Sequence, residues 1–277
     1  MERIKDALQR ARVERSTGDK DSLHVDSDNP SPAKMRPSEL ESNESIQYSK
    51  TKIEPADRKI LLSNNLICDG QDPELVTAYK ILRTQVLQRL AAKEWNVLAV
   101  TSPGPGHGKT MTAINLAISL AAEVQHTVLL VDLDLRNPTI AQRFNLSVDG
   151  GVVDYLQNDV PLSDLLVNPG IERIVILPGT KPVTNTSELL SSPKMVNLVD
   201  ELKNRYSSRF VIFDLPPLLM TDDALAFGPY VDTTLLIVRE GATTKTEIKR
   251  SMEMLENINV LGTVLNAASE RQKTYYY

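Results

Sequence analysis

Thr101-Ser102-Pro103-Gly104-Pro105-Gly106-His107-Gly108-Lys109-Thr110 is the stretch whose reading decides the fold. The residues that lead into it, Asn96–Thr101 (NVLAVT), read as a short buried strand, and Lys109–Ala122 reads as a helix. A strand, a glycine-rich loop ending in Gly-Lys-Thr and a helix make the P-loop arrangement. The glycines let successive backbone N–H groups converge on phosphate oxygens. The helix N-terminus adds its partial positive charge. Lys109 is placed to reach the β- and γ-phosphates, and the Thr110 hydroxyl to reach Mg²⁺. The strict pattern asks for glycine where Pro103 stands. Gly104, Pro105, Gly106, His107, Gly108, Lys109, Thr110 and Met111 form the candidate nucleotide-binding set. Among these, His107 is expected to be an exposed side chain.

Working outward, apolar runs alternate with helical spacing. Further strands are predicted at Thr127–Asp132, Arg173–Leu177, Phe210–Asp214, Thr233–Val238 and Val260–Asn266. Helices are predicted over Glu74–Leu90, Glu188–Tyr206 and Thr246–Ile258. Continuous apolar strands alternating with helices predict an α/β fold, a mostly parallel sheet with helices on both faces. Its site belongs at the carboxyl ends of the strands.

Two of those strands end in carboxylates. Asp132 and Asp134 share one face of an extended chain and follow the second strand. Asp214 ends an apolar strand, the Walker B position. A carboxylate at a buried strand end needs a partner, so Asp132 and Asp214 are read as catalytic and, with Thr110, as the metal set. Lys109 and Asp134 complete the catalytic candidates. Asp222 and Asp223 are read as helix caps. A P-loop with two Asp-bearing strands points to nucleotide hydrolysis or phosphoryl transfer. The His-Arg-Asp and Asp-Phe-Gly strings of eukaryotic-type kinases are absent, and so is the GTP-specifying Asn-Lys-x-Asp string, which favours ATP with Mg²⁺.

Composition bounds the rest. The chain has 277 residues, 36 acidic and 31 basic side chains and a net charge of -5, which argues against nucleic acid as a partner. One cysteine, Cys68, excludes a disulfide framework within the chain. No run reaches the roughly 20 apolar residues of a membrane span, so a cytoplasmic location is expected. Residues 1–15 have the spacing of a short amphipathic helix. Residues 16–59 hold eight Ser and four Pro with few large apolar side chains, the composition of a disordered linker. A folded domain is expected over 60–270. Residues 271–277 end in Tyr275, Tyr276 and Tyr277, read as a flexible tail of phosphoryl acceptors.

TSPGPGHGKT (101–110), VLLVDLDLR (128–136), FVIFDLPP (210–217) and the terminal tyrosines together resemble the bacterial tyrosine kinases of capsule and exopolysaccharide systems. The similarity spans about residues 72–277 and includes Ala78–Thr84 and Ser187–Leu190. The resemblance implies an ATP-dependent kinase that phosphorylates its own tyrosine tail, mostly on a neighbouring subunit, and so regulates polysaccharide polymerisation or export. It implies that Asp132 activates the tyrosine hydroxyl, that Asn266 contacts adenine, and that Arg136 holds phosphate or shapes a subunit contact. It implies a ring of subunits. The family's Glu-Arg-Arg ring motif falls here on Thr77, Lys80 and Arg83, a departure that weakens the match, because Lys lacks the bidentate fork of Arg. It implies a transmembrane activator of the polysaccharide co-polymerase type, which would recruit the chain to the inner face of the membrane. The competing reading is a positioning ATPase of the Min/Par type. Such proteins carry a signature lysine near the P-loop start, where Gly104 stands here, and lack terminal tyrosines.

Overall fold

The computed structural model describes residues 51–123, 125–204 and 208–269. Its centre is one eight-stranded sheet in the order β1-β4-β5-β3-β6-β2-β7-β8. The strands are β1 (Lys52–Ile53), β2 (Val97–Thr101), β3 (Thr127–Asp132), β4 (Val167–Asn168), β5 (Ile174–Leu177), β6 (Arg209–Asp214), β7 (Thr233–Arg239) and β8 (Val260–Asn266). All paired strands run parallel except β4 against β5. This is the expected α/β architecture.

Period-two alternation explains the two cores. Along β2 and β3, Val97, Ala99, Leu129 and Val131 face one side, while Leu98, Val100, Val128 and Leu130 face the other. The first side is covered by α5 (Val152–Asn158), α6 (Leu162–Leu165), α7 (Thr186–Leu190), α8 (Pro193–Asn204) and α9 (Asp223–Phe227). There Phe213 meets Phe227 edge-on at 4.9 Å between centroids. Such a pair adds about 0.5–1.5 kcal/mol beyond its buried area. The second side is covered by α1 (Arg58–Ser63), α2 (Pro73–Ala91), α3 (Lys109–Ala121) and α4 (Ile140–Phe144). α10 (Lys245–Met254) precedes β8.

The helix after the phosphate loop, α3, is the deepest, with 11 of its 13 residues buried. Within it Asn115 is fully buried and satisfied: its Oδ1 accepts from the Ile67 N–H and its Nδ2 donates to the Asn65 carbonyl, both at 2.9 Å. That pair fixes the loop between α1 and α2 beside α3.

Three local readings need correction. Lys52–Ile53 and Arg58–Ser63, whose first residues fall inside the linker expected over 16–59, are strand and helix; β1 pairs with Val167 and Asn168 of β4. The predicted helix 188–206 is two helices, because Pro193 cannot continue the first one and instead starts α8. Short helices α4 to α6 were not predicted; four to seven residues give too little periodicity to read. The helix expected over 1–15, the remainder of the linker and the tyrosine tail lie outside the described residues. Among the described residues no helix is long and apolar enough to cross a membrane.

Candidate active site

β2, β3 and β6 lie side by side, so their carboxyl ends bring Thr101, Asp132 and Asp214 to one edge of the sheet. Asp132 and Asp214 are register partners. The phosphate loop crosses above them. Gly106 and Gly108 have φ of 72° and 91°, left-handed values that glycine takes without steric cost. At Gly108 a side chain would also displace Asn266, because a Cβ would lie 2.0 Å from its amide nitrogen.

Lys109 turns back into the site. Its Nζ donates to Asp134 Oδ2 at 2.7 Å and to Thr110 Oγ1 at 3.2 Å, and lies 3.6 Å from Asp214 Oδ1. Burial alone would push this ammonium down, but the Asp214 and Asp134 charges outweigh it and hold it above its ordinary value. The Thr110 hydroxyl donates to Asp214 Oδ2 at 2.6 Å. The structure thus brings together Lys109, Thr110, Asp134 and Asp214 as one hydrogen-bonded cluster.

Asp132 sits apart from that cluster. It is fully buried, and its Oδ2 accepts the backbone N–H groups of Thr139 and Ile140, each at 2.9 Å. Burial, then the Asp214 charge, push its carboxyl up to about 8. Asp214 is also raised, burial outweighing Lys109 and Thr110. Asp132 Oδ1 and Asp214 Oδ1 are both buried without a hydrogen-bond partner. Such oxygens are costly unless a cation takes them.

A cleft of about 720 Å³ opens over the loop. Lys109, Thr110, Met111, Pro105, Gly106, Gly108, Asp134, Arg136 and Asn266 line it; Asp132 and Asp214 do not. Sequence reasoning missed Arg143, Arg239 and the Ser63–Asn65 segment, which line it too. Arg239 was the findable one, a cation ending an apolar strand beside the phosphate loop.

Other candidates move. His107 is buried at 7% exposure, not exposed, because its ring folds back over Gly104. Asn266 Nδ2 donates to the His107 carbonyl at 2.9 Å, so this amide braces the loop. Asp223 is not a cap. It is fully buried, paired with Arg136 Nε at 2.9 Å and accepting from the Thr186 hydroxyl at 2.7 Å. The Asp222 side chain makes no cap hydrogen bond either. Arg83 is held within its own chain, with Nη1 on the Ser119 carbonyl and Nη2 2.9 Å from Glu123.

Strand, phosphate loop and helix opening on one cleft, with two buried strand-end carboxylates beside it, define a P-loop nucleotide-binding α/β protein. Residues 95–259 match the model of the AAA domain family. The chain is 32% identical over 213 residues to tyrosine-protein kinase Etk of Escherichia coli, covering 76% of this chain and 29% of Etk. It therefore spans less than a third of the length of that relative. Over 225 residues it is 27% identical to the putative tyrosine-protein kinase CapB of Staphylococcus aureus, covering 80% of this chain and 97% of CapB. The crystal structure of the VpsO kinase domain superposes with a TM-score of 0.64 at 31% identity, covering 71% of this chain and 96% of that one. The chain belongs to the AAA domain family and is a relative of the bacterial tyrosine kinases.

Proposed function

We propose that the chain is an ATP-dependent protein-tyrosine autokinase that transfers the γ-phosphoryl of ATP to Tyr275, Tyr276 and Tyr277 of a neighbouring copy. One observation carries the reading: a buried lysine, a hydroxyl and the Asp134 carboxylate line one phosphate-loop cleft, with Asp214 bonded to that hydroxyl behind them. Such transfer is mostly positioning and charge stabilisation.

Mg²⁺ fits the site as a counter-charge to the phosphates. Thr110, Asp214 and Asp132 would hold it, since each carboxylate keeps one buried oxygen without a hydrogen bond, that of Asp214 lying 3.6 Å from the Lys109 ammonium. Among the described residues no three His, Cys, Asp or Glu gather as a metal cage, which suits an ion that keeps waters and phosphate oxygens as its other ligands. When bound, the ion offsets charge that develops on the phosphate oxygens. Lys109 exchanges Asp134 for a phosphate oxygen. Asp134, freed and on the cleft wall, is the carboxylate we assign to the tyrosine proton, in place of Asp132, whose Oδ2 is taken by two backbone N–H groups. The proton leaves the phenol as its oxygen bonds phosphorus, and ADP departs.

The remaining parts of the reading follow the resemblance and the matched kinases. They are regulation of exopolysaccharide or capsule polymerisation or export, assembly with further copies, and recruitment to the membrane by a transmembrane activator. The Min/Par-type switch is not favoured, because the matched relatives are named as tyrosine kinases.

Intact mass after incubation with ATP and Mg²⁺ tests the proposal on the full chain and on one truncated after Thr274. Phosphate gained by the full chain alone supports it. Phosphate gained by both moves the acceptor elsewhere. ATP hydrolysis without any phosphate gain, with the membrane activator's cytoplasmic segment present, overturns it.

A further inference from the structure

The phosphate loop is held from outside by a small set of bonds that phosphoryl transfer does not itself require. The Gly104 N–H points at His107 Nδ1, 3.3 Å away. The Thr243 Oγ1 lies 3.3 Å from the same nitrogen. Thr243 Oγ1 also accepts the Arg239 N–H at 2.8 Å. Arg239 Nη1 donates to the Gly106 carbonyl at 2.8 Å, and Asn266 Nδ2 donates to the His107 carbonyl. The ends of β7 and β8 and the turn before α10 therefore grip the loop at residues 104, 106 and 107.

This geometry decides the state of the ring. A backbone N–H can only donate, so Nδ1 must accept from Gly104. The Thr243 hydroxyl, 3.3 Å from the same nitrogen, can then bond it only by donating to the one lone pair that the Gly104 N–H also uses. His107 is therefore neutral, with its proton on Nε2. A proton on Nδ1 would set N–H against N–H at Gly104. The charged groups around the ring come from two elements. Arg239 at the end of β7 opposes protonation, and Glu247 on α10 favours it. Glu247 is occupied with the Thr244 N–H and hydroxyl, at 2.8 and 2.9 Å. Burial leads, and the ring sits below the ordinary histidine value.

We propose that His107 is a positioning residue of the phosphate loop: its neutral ring, anchored to Thr243, holds the Gly104 N–H in place, and protonation of the ring releases the loop and weakens nucleotide binding. The nucleotide half rests on the reading of this loop as a phosphate cradle; the ring's tautomer does not.

The test has two arms on the full chain. Nitrogen NMR of the histidines, with His107 assigned by its loss in H107Q, is expected to show unprotonated Nδ1 and protonated Nε2 at neutral pH. A protonated Nδ1 overturns the proposal. Calorimetric binding of Mg–ADP is then measured between about pH 8 and pH 5 for wild type, H107Q and T243V. The nucleotide's own titration is common to all three and cancels in their ratios. Wild-type affinity is expected to fall roughly three- to tenfold relative to H107Q on acidification, the ratio that one or two hydrogen bonds support. In T243V the midpoint is expected to rise toward the ordinary histidine value of about 6.5, because a bond to the neutral ring is gone. Equal pH dependence in wild type and H107Q overturns the positioning role. If none of the three binds Mg–ADP, the phosphate-cradle reading fails, while the nitrogen spectrum still decides the tautomer.

Discussion

The two ends of the central strands bury charge in opposite ways. At the amino end, Asp232 precedes β7 and is nearly buried. Its Oδ2 accepts the backbone N–H groups of Asn96 and Val97, both at 3.0 Å, and its Oδ1 pairs with Lys203. Every bond there ties the fold together, strand to strand or strand to α8. At the carboxyl end, Asp132 and Asp214 are fully buried register partners, each with one oxygen lacking a hydrogen bond, and Lys109 is shared between Asp134 and Asp214. Burying a charge is tolerable when hydrogen bonds and a counter-charge replace water, and costly when they do not. The amino end meets that condition with protein alone. The carboxyl end meets it only with a cation and phosphates added. The contrast separates a charge kept for the fold from charges kept for chemistry.

The sharpest break of this contrast is K109M. It removes the cation that holds phosphate in the cleft, so tail phosphorylation is expected to fall roughly 10³-fold or more while the fold persists. Phosphate incorporation by intact mass, beside circular dichroism, checks both halves. The amino-end counterpart is D232A. It strands two backbone N–H groups, while the part-exposed Lys203 ammonium turns to water, so chemical denaturation is expected to show a loss of about 2 kcal/mol. Transfer by the folded fraction should stay within about twofold of wild type. If D232A abolished transfer at unchanged stability, the division between the two ends would be wrong.

How far the sequence displayed this contrast depends on spacing. Gly104 to Thr110 and the strand-end aspartates were legible because a strand period and a fixed motif place them without knowledge of contacts. Asp134 and Asp132 share a face on paper, but only tertiary structure reveals that the N–H groups of Thr139 and Ile140 capture Asp132. Asp222 and Asp223 read as caps because adjacent aspartates before a helix usually are. The partners that overrule this, Arg136 and Thr186, are 87 and 37 residues away from Asp223. β1 was illegible for another reason: two residues carry no periodicity, and their pairing with β4 is made entirely by backbone.

D132N sharpens the comparison from the side of stability. The Asp132 carboxyl titrates near 8 in the fold and near its ordinary value of about 4 when unfolded. The fold thus holds the proton more tightly. That stabilisation is fully present below about pH 4 and is lost as pH rises toward about 8. Asparagine keeps an oxygen for the Thr139 and Ile140 N–H groups and carries no charge. In chelator, D132N is expected to be more stable than wild type by about 1–3 kcal/mol at pH near 8, with the gap narrowing toward pH 5. Mg–ADP should narrow it as well, by stabilising wild type selectively. Phosphate transfer by D132N should be strongly reduced. A variant that is less stable at both pH values would show that Asp132 is already satisfied, as Asp232 is.

The smallest expected effect falls on Asp223, which shares the carboxyl end with the catalytic cluster but is bonded like the amino-end aspartate. Its Oδ1 receives the Thr186 hydroxyl at 2.7 Å, and Arg136 Nη2 lies farther from the same oxygen, at 3.5 Å. T186V removes the short bond and leaves the longer one. Stability should fall by about 1 kcal/mol, the low end for a buried acceptor that loses one of its partners. T186S keeps the hydroxyl and should recover most of that loss. Transfer by T186V should stay within about threefold of wild type, since Lys109, Thr110 and Asp134 keep their bonds. A much larger fall in transfer, restored by serine, would mean that position in the sheet governs the role of a buried charge. Retained transfer would mean that completeness of hydrogen bonding governs it, and that Arg136 is held by Asp223 for the shape of the cleft wall alone.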